Sequence, residues 1–201
     1  QTVEVFETGL LGSRVARRIT IDPQGVRAWR DGYACIWRRH GVWDMDANGN
    51  PRLLRPDYFT QVNGKRVDFG QDCLLPFYRQ FVQTVRAVHP QALIFIEPEV
   101  NQPPPLWDRD RPEGLVYAPH WYDGLTLYLK RHLPWLAYDN RGRGKVVFWP
   151  FIRRNFADQL AEFRRHAHDY LGDVPVIIGE CGIPFDLDHK RAFRDGNFKI
   201  H

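Results

Sequence analysis

The chain has 201 residues, 43% hydrophobic and 26% charged, with a formal net charge of +4. That length supports one sizeable core, and no apolar stretch approaches the roughly 18 residues that span a bilayer. Basic residues alternate with nearly as many acidic ones instead of gathering on one stripe, which argues against a nucleic-acid partner. Three cysteines, Cys35, Cys73 and Cys181, are an odd and sparse set. They argue against a disulfide framework as the organising device, and a reducing, cytoplasmic compartment is expected.

In chain order, residues 1–71 are expected to be mostly irregular. Within them Asn48, Gly49 and Pro51 signal a turn, and Asn63-Gly64 between apolar residues signals a hairpin. Residues 72–201 are more regular. Leu74, Phe77, Phe81, Val82, Val85 and Val88 recur at three- and four-residue steps and predict an amphipathic helix. Asp72 is placed as its N-cap, with Pro76 tolerable in the first turn.

A strand, "ALIFIEP", follows and ends on Glu97; a proline-rich loop leads to a second, "LVYAPHWYDG". The next helix is expected to start at Asn155 as cap, to carry Phe156, Leu160, Phe163, Ala167 and Tyr170 on one face, and to stop at Gly172. The third strand is the apolar run Val176–Gly179 that ends on Glu180, predicted to be buried on both faces. Helix, strand, strand, helix, strand argues for a parallel sheet with covering helices, an α/β fold.

Alone, Glu180 reads equally well as a capping or arginine-paired carboxylate. Three strands that end in ionisable groups, at Glu97, at His120 to Tyr122 and at Glu180, favour a functional site, because α/β folds gather function at the carboxyl ends of their strands. Carboxylates facing across a cleft are the equipment of glycoside hydrolysis. The tryptophans Trp37, Trp43, Trp107, Trp121, Trp135 and Trp149 supply flat surfaces that stack on sugar rings or fill a core. No metal or other cofactor is expected: His166 and His168 lie two apart on a helix and point about 200° apart. His120 and Glu180 lack an evident third ligand. Cys181 follows Glu180 on an extended strand and is expected to pack behind the site.

The segments "APHWYDG", "IFIEP" with its following Asn101, and "PVIIGECGIPFD" resemble glycoside hydrolase family 5. The resemblance is to its endoglycoceramidase-related branch, with fungal glucosylceramidases and steryl β-glucosidases; "CIWRRHGVW" and "LLRPDYF" are similar to that branch as well. It implies an incomplete (β/α)8 TIM barrel, about strands five to seven with their helices, preceded by an irregular insertion (residues 1–71) after strand four. It implies Glu180 as the catalytic nucleophile ending strand seven. His120 and Tyr122 match the strand-six motif, the histidine lining the subsite for the cleaved sugar and the tyrosine hydroxyl holding the nucleophile. Glu97 becomes a substrate contact or a support ending strand five, and Trp37 or Trp43 part of the wall around the aglycone. The implied substrate is a glycolipid or other β-glucoside, cleaved with retention.

One departure stands out. The family's acid/base glutamate lies in an Asn-Glu-Pro motif, and here Ile96 precedes Glu97-Pro98. The chain, short for a barrel and opening on Gln1, is therefore expected to be a fragment. The rest of the barrel would come from missing sequence, and the fragment alone would be inactive. The competing reading is a non-catalytic carbohydrate- or lipid-binding domain whose carboxylates only hydrogen-bond hydroxyls.

Overall fold

The computed structural model describes residues 2–9, 12–26, 28–141 and 144–198. They divide into two compact units, residues 1–68 and 69–201.

In the described residues of the first unit three hairpins are separated by irregular stretches. β1 (Thr2–Gly9) pairs antiparallel with β2 (Gly12–Thr20), with a register shift between Val5 and Phe6. Cross-strand pairs Arg18–Glu4 at 2.7 Å and Arg14–Glu7 at 3.4 Å line its exposed surface. A short α1 (Ile36–Arg39) precedes the antiparallel pair β3 (Trp43–Met45) and β4 (Pro51–Leu53). The turn between them is the one signalled by Asn48-Gly49. The Asp46 carboxylate accepts from the backbone N–H groups of Asn48 at 2.9 Å and Asn50 at 2.8 Å, a local Asx closure. The Asn50 N–H holds that carboxyl below its ordinary value.

The hairpin foreseen at Asn63-Gly64 is present: β5 (Gln61–Val62) pairs with β6 (Lys65–Arg66) across it. Both turn residues have positive φ, 52° and 75°, as a two-residue primed turn requires. Among the described residues of this unit the buried apolar one is Val42, and nearby there is a small aromatic group. In that group Trp37 meets Phe59 edge-on at 5.0 Å, and Arg38 lies over Trp43 at 5.7 Å.

The second unit is α/β. A π-helical turn, Phe69–Leu74, runs into α2 (Leu75–Val88), so Asp72 lies inside the turn and is not the cap. Pro76 sits in the first turn of α2, where its missing N–H has no intrahelical partner to lose. The stripe α2 buries is Leu75, Tyr78 and Val82, with Val85 beside them. Phe77 and Phe81, expected on that stripe, stack on each other at 6.0 Å on the exposed side.

The expected strands follow, in shorter pieces. β7 (Ile94–Ile96) pairs parallel with β8 (Leu115–Tyr117). Pro119 has no N–H to give a ladder, and the chain resumes as β9 (His120–Trp121). After α3 (Gly124–Leu129) comes an antiparallel hairpin that the sequence reading did not foresee, β10 (Leu136–Asp139) with β11 (Lys145–Phe148).

α4 (Ile152–Leu171) begins one turn earlier than expected, so Asn155 lies within it rather than at its cap. It ends where foreseen, at Gly172, with left-handed φ 68° and ψ 54°. β12 (Glu180–Cys181) pairs parallel with β9, with Glu180 opposite His120. α5 (Leu187–Asp195) closes the described chain.

Backbone bonds join the three strand segments into one parallel ribbon. Ala118 N–H donates to Ile96 O at 2.8 Å, Tyr117 N–H to Pro175 O at 2.8 Å, and Gly179 N–H to Pro119 O at 2.9 Å. One face carries the core: Ile94, Ile96, Leu115, Tyr117 and Val174 pack with Leu75, Tyr78 and Val82 of α2 and Ala167 and Leu171 of α4. Because side chains alternate along a strand, the intervening residues turn the other way. Phe95 is 54% exposed and Ile177 51% exposed. Burial of the Glu180 strand on both faces, as predicted, is therefore corrected to burial on one. Among the described residues no helix is long and apolar enough to cross a membrane.

Candidate active site

The carboxyl ends of the ribbon bring together Glu97, His120, Tyr122 and Glu180. Glu97 follows β7 directly, and its backbone carbonyl accepts from the buried Tyr78 hydroxyl of α2. On β9, His120 Nε2 lies 3.2 Å from Glu97 Oε1, and His120 Nδ1 lies 3.6 Å from Glu180 Oε2. The imidazole thus stands between two carboxylates. The neutral ring carries one N–H, enough for one of them, whereas the imidazolium donates toward both. Tyr122 donates its hydroxyl proton to Glu180 Oε1. One oxygen of Glu180 is thereby held by the tyrosine and the other faces the histidine.

The local geometry follows from strand alternation. His120 and Tyr122, two residues apart, share a side, and Trp121 takes the other. The register pairing Glu180 with His120 puts the two side chains next to each other across neighbouring strands. Gly179 permits that approach: a Cβ there would lie 2.7 Å from the Ala118 carbonyl oxygen. The side chains of Glu97 and Glu180 are about half-exposed and that of His120 about one-third. The cluster therefore faces solvent and can receive a ligand. Cys181 is exposed, which corrects the expectation that it packs behind the site.

Trp37 and Trp43 belong to the first unit and are described there. Trp107, by contrast, is a core residue. His166 and His168 are engaged separately: His168 Nδ1 is 2.9 Å from an Asp173 carboxylate oxygen, and the His166 ring meets Tyr170 edge-on at 5.8 Å. Among the described residues, no group of three or more His, Cys, Asp and Glu could hold a metal ion.

The sequence reading missed a polar cluster on the far side of β9. Asp139, at the end of β10, takes a bidentate bond from Arg141 at 2.9 and 2.6 Å and another from Asn155 Nδ2 at 2.6 Å. The Arg141 guanidinium holds the Asp139 carboxyl well below its usual range. The short apolar runs "LAY" and "VVF" on either side of the turn-rich "NRGRG" were the available signal for this hairpin.

Carboxylates, a histidine and a tyrosine gathered at the carboxyl ends of parallel strands define an α/β scaffold with the layout of an enzyme site. No protein-family model matches the chain. Its relatives are nonetheless specific. It is 29% identical to a glucosylceramidase of Rhizopus delemar, over 100% of this chain and 31% of that protein. It is 33% identical to a glucosylceramidase of Cryptococcus neoformans, over 93% of the chain and 27% of that protein. With the ergosteryl-beta-glucosidase of Saccharomyces cerevisiae the identity is 29%, over 96% and 29%.

Among solved structures it resembles Cryptococcus neoformans sterylglucosidase 1, with a TM-score of 0.75 and 30% identity over 96% of this chain and 30% of that one. The resemblance to glucosylceramidases and steryl β-glucosidases seen in the motifs is thus shown across the chain. The chain spans under a third of the length of these relatives.

Proposed function

We propose that this chain supplies the nucleophile side of a retaining β-glycosidase acting on lipid β-glucosides such as glucosylceramide or a steryl glucoside. The observation that carries the reading is the Tyr122–Glu180 hydrogen bond at the ends of adjacent parallel strands, with His120 against the second carboxylate oxygen. Glu180 attacks the anomeric carbon. The bond to the lipid oxygen breaks as that oxygen takes a proton from an acid/base glutamate that this chain does not contain. Water, deprotonated by the same residue, then cleaves the glycosyl ester, returning Glu180 and a β-configured sugar.

Tyr122 and His120 orient Glu180 for attack, and His120 also lines the sugar subsite. Glu97, 3.2 Å from His120, supports that ring or contacts the sugar. Trp37 and Trp43 are proposed as apolar surface for the aglycone.

The finer fold reading is strands five to seven of a (β/α)8 barrel. Three consecutive parallel segments, helices on one face, and apolar Phe95 and Ile177 exposed on the other support it. In that reading the remainder of a longer enzyme covers the open face and brings the acid/base residue, and residues 1–201 alone do not turn over. Free Cys35, Cys73 and Cys181 are in keeping with a cytoplasmic location.

The test is a mechanism-based glucoside inactivator applied to the intact enzyme. Stoichiometric labelling of a peptide at Glu180 is expected. Glu180→Gln should remove the label and lower kcat by roughly 10⁴-fold or more, the scale on which loss of a nucleophile registers. Reversible binding without labelling would favour a non-catalytic sugar- or lipid-binding domain.

A further inference from the structure

Trp121 lies between His120 of β9 and Tyr122 just after it, and points away from the site, into α4. Its indole Nε1–H donates to Gln159 Oε1 at 3.2 Å, and its ring meets Phe156 edge-on at 5.1 Å. Gln159 is only 5% exposed, an unusual position for an amide in mid-helix. Its Nε2 donates to Asn155 Oδ1 at 2.7 Å and lies 3.4 Å from the Tyr138 carbonyl oxygen. Asn155 in turn donates to Asp139, which Arg141 clamps, and Arg141 reaches Glu162 at 3.6 Å.

This series has one self-consistent direction. Ionised Asp139 only accepts, so Asn155 must turn its NH₂ toward it and its oxygen toward Gln159. Gln159 must then present its NH₂ to Asn155 and its oxygen to Trp121, and indole nitrogen only donates. Every amide orientation is thereby determined, from the β10–β11 hairpin through α4 to the segment His120–Tyr122. Among the residues described, no other side chain hydrogen bond ties Trp121 to α4.

We infer that Gln159 is a positioning residue for the active site: by fixing the Trp121 indole it sets the placement of His120 and Tyr122 against Glu180. The inference rests on the glycosidase reading above. Small displacements of such groups carry large rate effects, because catalysis depends on near-attack geometry.

The experiment uses the intact enzyme, with active sites counted by inactivator titration of a parallel sample, so that rates of the untreated enzyme are expressed per functional site. Gln159→Met, similar in length but without the acceptor, is expected to lower kcat per titrated site about tenfold with KM changed less than about twofold. Trp121→Phe keeps a ring against Phe156 but lacks the N–H, and should do the same. It also stands in if Gln159→Met does not fold. The double variant should lose no more than the larger single loss, as coupled partners do.

Per-site kcat within about twofold of the parent in the folded variants, with only thermal stability lowered, would reduce Gln159 to a packing residue and overturn the inference. Single losses that multiply in the double variant would overturn it too. Failure of the unsubstituted enzyme to be labelled at Glu180 defeats the glycosidase reading and this inference with it. Normal labelling with unaffected variants defeats this inference alone.

Discussion

The two units are held together in different ways. In residues 2–68 the strands pair with near neighbours across turns, and almost every side chain meets water; Val42 is the buried apolar residue. In residues 69–198 the strands of the parallel ribbon pair across long connections, and two helices cover a continuous apolar face. A segment of the first kind depends on turn geometry and exposed pairs, each contributing little. One of the second kind depends on burial and on a few buried polar groups that cannot lose a partner. Substitutions of similar size should therefore have very different effects in the two.

The largest effect is expected at Asp139. Asp139→Ala leaves Arg141 with the longer contact to Glu162 and removes the acceptor of the Asn155 amide. Because Arg141 is partly exposed, the cost is expected near the low end for a buried pair, about 3 kcal/mol. Chemical denaturation of the intact protein would read it. Because the folded carboxyl titrates below its ordinary value, the stability this pair contributes is whole above about pH 4 and lost on further acidification. A loss under about 1 kcal/mol would mean that the cluster is solvated and the contrast overstated.

Next comes Gly179→Ala. The added methyl meets the Ala118 carbonyl, and overpacking of this kind costs about 1–3 kcal/mol. It should also displace β12 from β9, so inactivator labelling at Glu180 should slow; an unchanged labelling rate would argue against close strand approach as a requirement of the site.

The alkaline limb separates the units more finely. Burial pushes the Tyr78 hydroxyl up to about 12, and Tyr117 higher still. A raised folded pKa means stability that is complete below pH 10 and lost as the pH climbs toward 12. The thermal midpoint of the second unit should fall through that window, and Tyr78→Phe should make the fall shallower. An identical pH profile in that variant would remove Tyr78 as a cause.

The smallest effect is expected in the first unit. Arg18→Ala breaks an exposed pair with Glu4 and should change stability by less than about 1 kcal/mol, and less still at high salt.

What the sequence made legible follows the same division between local and distant causes. The Asn63-Gly64 hairpin and the Gly172 helix stop are decided by a residue or two of backbone geometry, and both were readable. The strand ends at Glu97, His120, Tyr122 and Glu180 were readable because an apolar run makes a terminal ionisable group conspicuous. Asn155 was misread as a cap because its side chain is committed to Asp139, sixteen residues away, and nothing in its neighbourhood announces that partner. The stripe of α2 was misassigned at Phe77 and Phe81, since helical periodicity identifies apolar positions without saying which are covered. The β1–β2 hairpin was missed although its strands alternate charged with apolar residues, because no Asn-Gly or Asp-Gly dipeptide separates them.

The Tyr117–Val176 bridge has a consequence for how the chain comes together in time. It joins positions roughly sixty residues apart, and all of α3, the β10–β11 hairpin and α4 must be brought into a closed loop before it can form. Hairpins such as β5–β6 form in about 1–10 μs, whereas pairings this distant slow folding by orders of magnitude. During synthesis the Ile94–Ile96 segment therefore emerges long before the Val176–Gly179 run that completes its ribbon. A nascent chain in that interval exposes two apolar strands able to pair with those of a neighbouring chain, so yield should depend on concentration and on holdase chaperones.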